Sequence, residues 1–169
     1  MERYVLSALV QNNAGVLSRV AGLFSRRGYN IESLTVGETA EPALSRMTIV
    51  VTGDDAIIEQ IQKQLEKLVE VEAVRRLDPE SSVRRELALI KVDTPDRTRA
   101  EVIQTASIFR ARVVDVCADC LTLEATGDHQ KIDSLIDLLR PYGIRELART
   151  GVAALERGSV SISLLLNLI

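Results

Sequence analysis

The stretch that decides the fold runs from Asn12 to Leu34 and reads NNAGVLSRVAGLFSRRGYNIESL. Its apolar residues recur at spacings of three and four, which is the period of a helix. They are Val16, Leu17, Val20, Ala21, Leu23 and Phe24. Arg26 and Arg27 complement the negative end of this helix, and Gly28 suits the left-handed residue that ends it. The stretch predicts a strand, a short glycine loop, a helix, a glycine stop and a second strand.

The loop before the helix has the composition of an anion-binding helix entry. The first N–H groups of a helix lack intrahelical acceptors and lie at the positive end of its dipole, and Gly15 lets a ligand approach the backbone. Asn12 and Asn30 carry donors and acceptors that suit the carboxylate and ammonium of a free amino acid. The alternative is a helix with ordinary caps and no ligand. The candidate effector site comprises Asn12, Asn13, Ala14, Gly15, Val16, Leu17, Asn30 and Ile31.

The composition narrows the class of protein. A chain of 169 residues with 46% hydrophobic and 27% charged residues suits one or two compact domains. With 3% aromatic residues and a net charge of -3, neither base stacking nor counterion release has a basis, so we expect no nucleic acid partner. No apolar run approaches the roughly 20 residues that span a bilayer, and no targeting segment precedes the first strand. We expect a cytoplasmic protein without membrane contact.

The cysteines and the single histidine do not form a reactive cluster in the sequence. Cys117 and Cys120 are spaced C-x-x-C, but they fall at a predicted turn between strands, whereas a thioredoxin-like motif opens a helix. No second pair of Cys or His completes four zinc ligands, so reduced structural thiols are expected. His129 stands in a polar run, which predicts a solvated turn.

The chain contains an internal repeat. The first half reads as strand, helix, two strands of a hairpin, helix and strand, ending near Leu77, and the polar segment from Asp78 to Ser82 is the predicted linker. The same order follows it. Thr52-Gly53-Asp54 matches Thr126-Gly127-Asp128, and with the same offset Ile58, Ile61 and Leu65 fall on Ile132, Leu135 and Leu139.

This order predicts the fold class α+β, with two tandem ferredoxin-like βαββαβ domains over residues 1–78 and 79–169. In each, one antiparallel sheet would carry two helices on one face. The loop of the second repeat, Val92 to Asp96, has no glycine and holds two carboxylates that would repel an amino acid's own carboxylate. We therefore expect a ligand site in the first domain only.

Several motifs of the first domain occur together in one known family. They are Asn12, Gly15, Leu17–Val20, Gly22–Phe24, Arg27–Ile31 and Leu44–Ile49. With them the chain resembles the small regulatory subunit of acetohydroxyacid synthase, also called acetolactate synthase. The resemblance is dense over the N-terminal ACT domain and continues more loosely to Arg157 and Gly158.

The resemblance implies a homodimer that binds valine, or a related branched-chain amino acid, between paired ACT domains. It implies a non-catalytic subunit that activates the separate catalytic large subunit and confers feedback inhibition on it. Thiamine diphosphate, Mg and FAD are expected on that catalytic subunit and no cofactor in this chain. The family's ligand residues carry over to Asn12 and Gly15, with the amides of Ala14 to Leu17, and to Asn30 and Ile31 of the neighbouring chain.

The sequence alone leaves two features open. Residues 159–169 form an apolar tail that departs from the family pattern, and it must pack on its own domain, pair with another chain or expose an edge. The rival function is an amino-acid sensor of the ACT type that acts on another enzyme or on transcription. An acylphosphatase is not expected, because the loop from Gln11 to Gly15 lacks the arginine that would hold phosphate.

Overall fold

A computed structural model describes residues 2–163 of the chain. The chain divides into two compact units, one formed by residues 2–84 and 152–163 and the other by residues 85–151. Each unit contains one antiparallel sheet and two α-helices. The predicted fold class, α+β with tandem ferredoxin-like units, is confirmed.

Unit 1 has the predicted order of strands and helices. Its elements are β1 (Glu2–Gln11), α1 (Val16–Arg27), β2 (Ser33–Glu38), β3 (Leu44–Gly53), α2 (Asp55–Leu65) and β4 (Val71–Leu77). The strands lie in the order β2-β3-β1-β4, so β2 and β4 form the edges of this sheet. Gly28 has φ 69 and accepts the left-handed conformation that ends α1, as predicted.

Unit 2 repeats this plan. Its elements are β5 (Ser82–Asp93, of which residues 82–84 belong to unit 1), α3 (Asp96–Ile108), β6 (Arg112–Val116), β7 (Cys120–Gly127), α4 (His129–Leu139), a 3₁₀ turn (Arg140–Tyr142) and β8 (Ile144–Arg149). The strand order along the main path is β6-β7-β5-β8, which corresponds element by element to the order in unit 1. The internal repeat is therefore structural as well as sequential.

The second helix of each unit uses the matched residues in the same way. Asp54 accepts a hydrogen bond from the amide of Ile57 at 2.9 Å, and Asp128 accepts one from the amide of Lys131 at 2.8 Å. The apolar residues that the repeat pairs are all buried in their own cores. They are Ile58, Ile61 and Leu65 in unit 1 and Ile132, Leu135 and Leu139 in unit 2.

Removing either cap should destabilise its own unit by a similar amount. Asp54→Ala and Asp128→Ala each delete one bond to an otherwise unpaired helix amide, which costs about 1 kcal/mol. Differential scanning calorimetry of the two variants and the parent protein measures the loss. A neutral result at either position would contradict the shared capping role, and Asp137→Ala, late in α4 and exposed, is the control.

The C-terminal segment supplies an element that the repeat did not predict. The chain returns to unit 1 after residue 151, and the last strand within residues 2–163 is β9 (Ala153–Glu156). Val152 and Ala154 are buried against Val5, Val50 and Leu77. These three residues lie on the face of the sheet opposite α1 and α2, because residues 4, 6, 8 and 10 of β1 already pack against the helices.

This arrangement differs from two expectations. Unit 1 is covered on both sheet faces rather than on one, and residues 152–163, which the sequence placed in a second domain at 79–169, belong to the first unit together with residues 79–84. The physical reason lies in β1, whose residues 4–10 are all buried, so both of its faces need apolar cover.

The start of the apolar tail packs on unit 1. Ile162 is 2% exposed and lies against Leu9 and Ala73 on the same sheet face that β9 covers. Residues 164–169, the rest of the tail, lie outside the described residues. Within residues 2–163, no helix is long and apolar enough to cross a membrane.

The cysteines lie at the predicted turn between strands. Cys117 is exposed and Cys120 is buried, both are free, and the Cys117 amide donates to the Cys120 carbonyl at 2.9 Å. The Cys120 thiol and the nearby Asp115 carboxylate raise the pKa of the Cys117 thiol, which works against a reactive thiolate. The solvated turn expected at His129 was wrong, because this residue opens α4 and its ring contacts Asp133 at 2.9 Å.

Candidate functional site

The candidate site lies where β1 passes into α1. Gly15 occupies the N-cap position with φ 88, and no side chain among residues 2–163 caps the helix. This positive φ favours glycine, and a Cβ built on Gly15 would meet nothing within 4 Å. The helix entry is therefore open to solvent, with its backbone accessible to a ligand.

Several amides at this entry have no protein acceptor. Val16 donates to the carbonyl of Asn13 at 3.4 Å, and Arg19 donates to the carbonyl of Gly15 at 3.1 Å. Within residues 2–163 the amides of Gly15, Leu17 and Ser18 find no acceptor. These donors stand at the positive end of the helix dipole, an arrangement that favours a bound carboxylate or another anion.

Asn12 is held by the turn between β2 and β3. Its side-chain N–H donates to the carbonyl of Pro42 at 3.0 Å, and its side-chain oxygen accepts from the hydroxyl of Ser45 at 3.0 Å. Its backbone amide donates to the carbonyl of Ala43 at 2.8 Å. The sequence does not predict these partners, because they lie 30 to 33 residues away, where no local pattern points to them.

The other predicted residues of the loop differ in accessibility. Asn13 and Ala14 are exposed, and the side-chain amide of Asn13 donates to Gln11 at 3.4 Å. Leu17 is 46% exposed and is available for aliphatic contact, whereas the side chain of Val16 is 4% exposed and belongs to the core. Val16 therefore offers a ligand its position in the backbone and not its side chain.

Asn30 and Ile31 do not reach this loop within one chain. They follow Gly28 at the opposite end of α1, which has 12 residues. At 1.5 Å per residue, a helix of that length spans roughly 18 Å. Asn30 is exposed, and Ile31 is half-buried against the core of unit 1. A single chain brings together only the first six of the predicted site residues.

The equivalent loop of unit 2 is filled by its own side chains. The guanidinium of Arg99, in the first turns of α3, donates to the carbonyls of Thr94 at 3.3 Å and Cys117 at 2.9 Å. Asp93 pairs with Arg145. Pro95 stands at the N-cap, where unit 1 has Gly15. This entry has an arginine laid across it rather than an open glycine backbone.

Unit 1 also carries a large apolar cleft on the sheet face opposite its helices. Its volume is about 1080 Å³, and its walls include the turn at residues 39–44 and the strand β9. Small-molecule sites occupy about 300–1,000 Å³, and a free amino acid would fill little of this cleft. We therefore place the candidate effector site at the helix entry and not here.

The comparisons with known proteins cover both units. A family model described as the small subunit of acetolactate synthase matches residues 85–158, and one for the AHAS small subunit-like ACT domain matches residues 6–73. A probable acetolactate synthase small subunit of Methanothermobacter thermautotrophicus is 55% identical over 159 residues, which cover 94% of this chain and 95% of the relative. The chain belongs to the acetolactate synthase small subunit family.

Other members of the small subunit family agree in sequence and in structure. The acetolactate synthase small subunit of Mycolicibacterium smegmatis is 51% identical, over 92% of this chain and 91% of its own. The crystal structure of the small subunit from Thermotoga maritima matches with a TM-score of 0.87 and 46% identity, covering 95% of this chain and 100% of that one. The resemblance predicted from the sequence is confirmed.

The family consists of regulatory, non-catalytic subunits, which agrees with the prediction that this chain is not itself an enzyme. The chemistry of the site also suits binding and not bond cleavage. The helix entry offers backbone hydrogen-bond donors, the partly free side-chain amide of Asn12 and an aliphatic contact at Leu17.

Proposed function

We propose that the chain binds a branched-chain amino acid, valine above all, at the entry of α1, and through it regulates a catalytic subunit of acetolactate synthase. The observation that carries the proposal is the group of acceptor-free amides around Gly15, at the start of a helix without a side-chain cap. A carboxylate is the group that such an entry favours. Family membership supplies the enzyme, since relatives are named as its small subunit.

The proposal includes a homodimer that completes the site. β2 is an edge strand, it carries one charged residue, Glu38, and it exposes the apolar side chain of Val36. Antiparallel pairing of β2 with its copy about a two-fold axis would set the partner's Ser33 beside Glu38. The partner's Asn30 and the partner's Ile31 would then approach the turn at residues 39–44, next to Asn12.

The two units divide the work in this proposal. Residues 1–78 contain the amino-acid-binding ACT region, because its helix entry is open, whereas Arg99 lies across the corresponding entry of unit 2. Unit 2 would contact or transmit to the catalytic subunit. Thiamine diphosphate, Mg and FAD would be held by that catalytic subunit, in the cytoplasm, and not by this chain.

Calorimetric titration of the purified chain tests the binding step. Valine, leucine and isoleucine differ by one methylene or by branching, so an apolar contact such as Leu17 separates them by about 1–3 kcal/mol. We expect all three to bind and valine to bind most tightly.

Acetolactate formation by the catalytic subunit, with and without this chain and across a valine titration, tests activation and feedback inhibition. Failure of all three amino acids to bind would contradict the proposal.

Valine should tighten the dimer. A ligand that contacts both chains binds the dimer better than the monomer, so linkage lowers the dissociation constant of the dimer as valine rises. At a hundredfold excess over its own dissociation constant, each bound valine stabilises the dimer by about 2.7 kcal/mol, roughly a hundredfold, and a two-fold dimer has two such sites. Sedimentation velocity across a protein dilution series measures this, with glycine as the control ligand. Equal dimer constants with and without saturating valine would argue against a shared site.

A further inference from the structure

The side chain of Asn12 is only half engaged by the turn that holds it. A side-chain amide has two N–H donors and an oxygen that accepts twice. One donor is used by the Pro42 carbonyl and one acceptor position by the Ser45 hydroxyl, each at 3.0 Å. One N–H and one lone pair remain, and Asn12 is exposed.

The turn also fixes which way the amide points. A carbonyl accepts hydrogen bonds and cannot donate them, so the atom of Asn12 that faces Pro42 must be the nitrogen. The oxygen of Asn12 then faces Ser45, whose hydroxyl donates to it. Ser45 is 6% exposed and lies on β3, opposite Val10 in the strand register. Its hydroxyl is buried and set in place by the sheet.

We propose that Ser45, with the Pro42 carbonyl, positions the Asn12 amide for the effector and couples effector occupancy to the turn at residues 39–44. This rests on the proposed function. The free lone pair of Asn12 accepts from the ammonium of the bound amino acid, and its free N–H donates to the carboxylate. The effector and the turn then hold the same amide from two sides.

The turn at residues 39–44 forms part of the wall of the large cleft of unit 1. It is closed by the amide of Thr39 donating to the Leu44 carbonyl at 3.0 Å and the amide of Leu44 donating to the Glu41 carbonyl at 2.9 Å. Thr39, Ala43 and Leu44 also line the cleft. A more firmly held Asn12 therefore steadies one wall of that cleft, away from the effector itself.

Ser45→Ala is the test, because Ser45 touches Asn12 and not the effector. We expect valine affinity to fall about threefold to tenfold, the loss that corresponds to one hydrogen bond. Calorimetry of the full chain measures it. Thr48→Val is the matched control, since it removes a buried hydroxyl from the same strand on the opposite face, and it should change affinity less than twofold.

Hydrogen exchange of the turn gives a readout that simple loss of stability would not move. In the parent protein, valine should slow exchange of the amides at residues 39–44, and in Ser45→Ala this valine-dependent slowing should shrink. Valine that binds in calorimetry without changing exchange at the turn would overturn the coupling and leave the proposed function standing. Equal affinity losses in Ser45→Ala and Thr48→Val would overturn it too. No valine binding in the parent protein would overturn both.

Discussion

Replacing Gly15 by aspartate is expected to abolish valine binding while unit 1 stays folded. The added carboxylate would stand at the helix entry, beside the amides of Leu17 and Ser18. These amides have no acceptor within residues 2–163 and are proposed to bind the carboxylate of the ligand. Two like charges about 4 Å apart repel by about 4 kcal/mol at an effective dielectric constant of 20. Allowing for solvent exposure, we expect at least a roughly hundredfold loss of affinity, about 2.7 kcal/mol.

The fold should survive because the new side chain has room and a favourable field. Nothing lies within 4 Å of a Cβ at this position, and aspartate at a helix N-terminus interacts well with the dipole. The positive φ of Gly15 costs any L residue about 1–2 kcal/mol, although Asp and Asn tolerate it best. Gly15→Asn is therefore the matched control, since it has the same shape and backbone strain without the charge.

The measurement is acetolactate formation by the reconstituted enzyme across a valine titration. Gly15→Asp should activate the catalytic subunit as the parent chain does and leave it insensitive to valine, while Gly15→Asn should keep a clear part of the valine response. Inhibition of the Gly15→Asp complex at the parent's valine concentration would remove the helix entry as the site. Circular dichroism of each variant checks that unit 1 is folded.

The local features of the fold could be predicted because their causes are local. α1 begins at Val16 and ends at Arg27, as the apolar spacing and the glycines at 15 and 28 indicate. The same holds for the caps at Asp54 and Asp128, where one side chain meets an amide three residues on. Because the two halves repeat, the strands and helices predicted in the first half also predict those of the second half.

The candidate site was only partly predictable for the opposite reason. Which amides lack an acceptor follows from the helix entry, which is local, but the hold of Pro42 and Ser45 on Asn12 depends on strand pairing across about 30 residues. Val16 is a second example. The sequence shows that it is apolar, but only the packed core shows that its side chain is buried and not available to a ligand.

The return of the chain to unit 1 could not be read from the repeat, because the first half of the repeat contains no counterpart of β9. One signal was present. Residues 4–10 of β1 are apolar almost without alternation, which is typical of a strand buried on both faces. What covers the second face is a contact between residues more than 100 apart, and the sequence alone does not name the covering segment.

Val152→Asp is expected to destabilise unit 1 much more than the same substitution at an exposed position of residues 152–163. Val152 is 2% exposed and lies against Val5, Val50 and Leu77, so the aspartate would place a carboxylate among aliphatic side chains. A buried unpaired charge costs several kcal/mol, and we expect a loss of about 3 kcal/mol or more in the free energy of unfolding of unit 1. Val160→Asp, the same change at a residue that is 48% exposed, is the control and should stay within about 0.5 kcal/mol.

Urea denaturation of the full chain measures the loss of stability. Hydrogen exchange of the amides in β1 and in β5 then separates an effect on unit 1 from damage to unit 2. Exchange should accelerate in β1, whose Val5 faces the substitution, while the core of unit 2 around Ile90 keeps its protection.

The same reasoning applies to a chain cut after Asp78. That fragment retains the helix entry but lacks residues 152–163, so Val5, Leu9 and Val50 lose their cover. Its failure to bind valine would then report an uncovered sheet, whereas a stable, monomeric 2–78 fragment, or a Val152→Asp variant as stable as Val160→Asp, would show that the second face needs no cover.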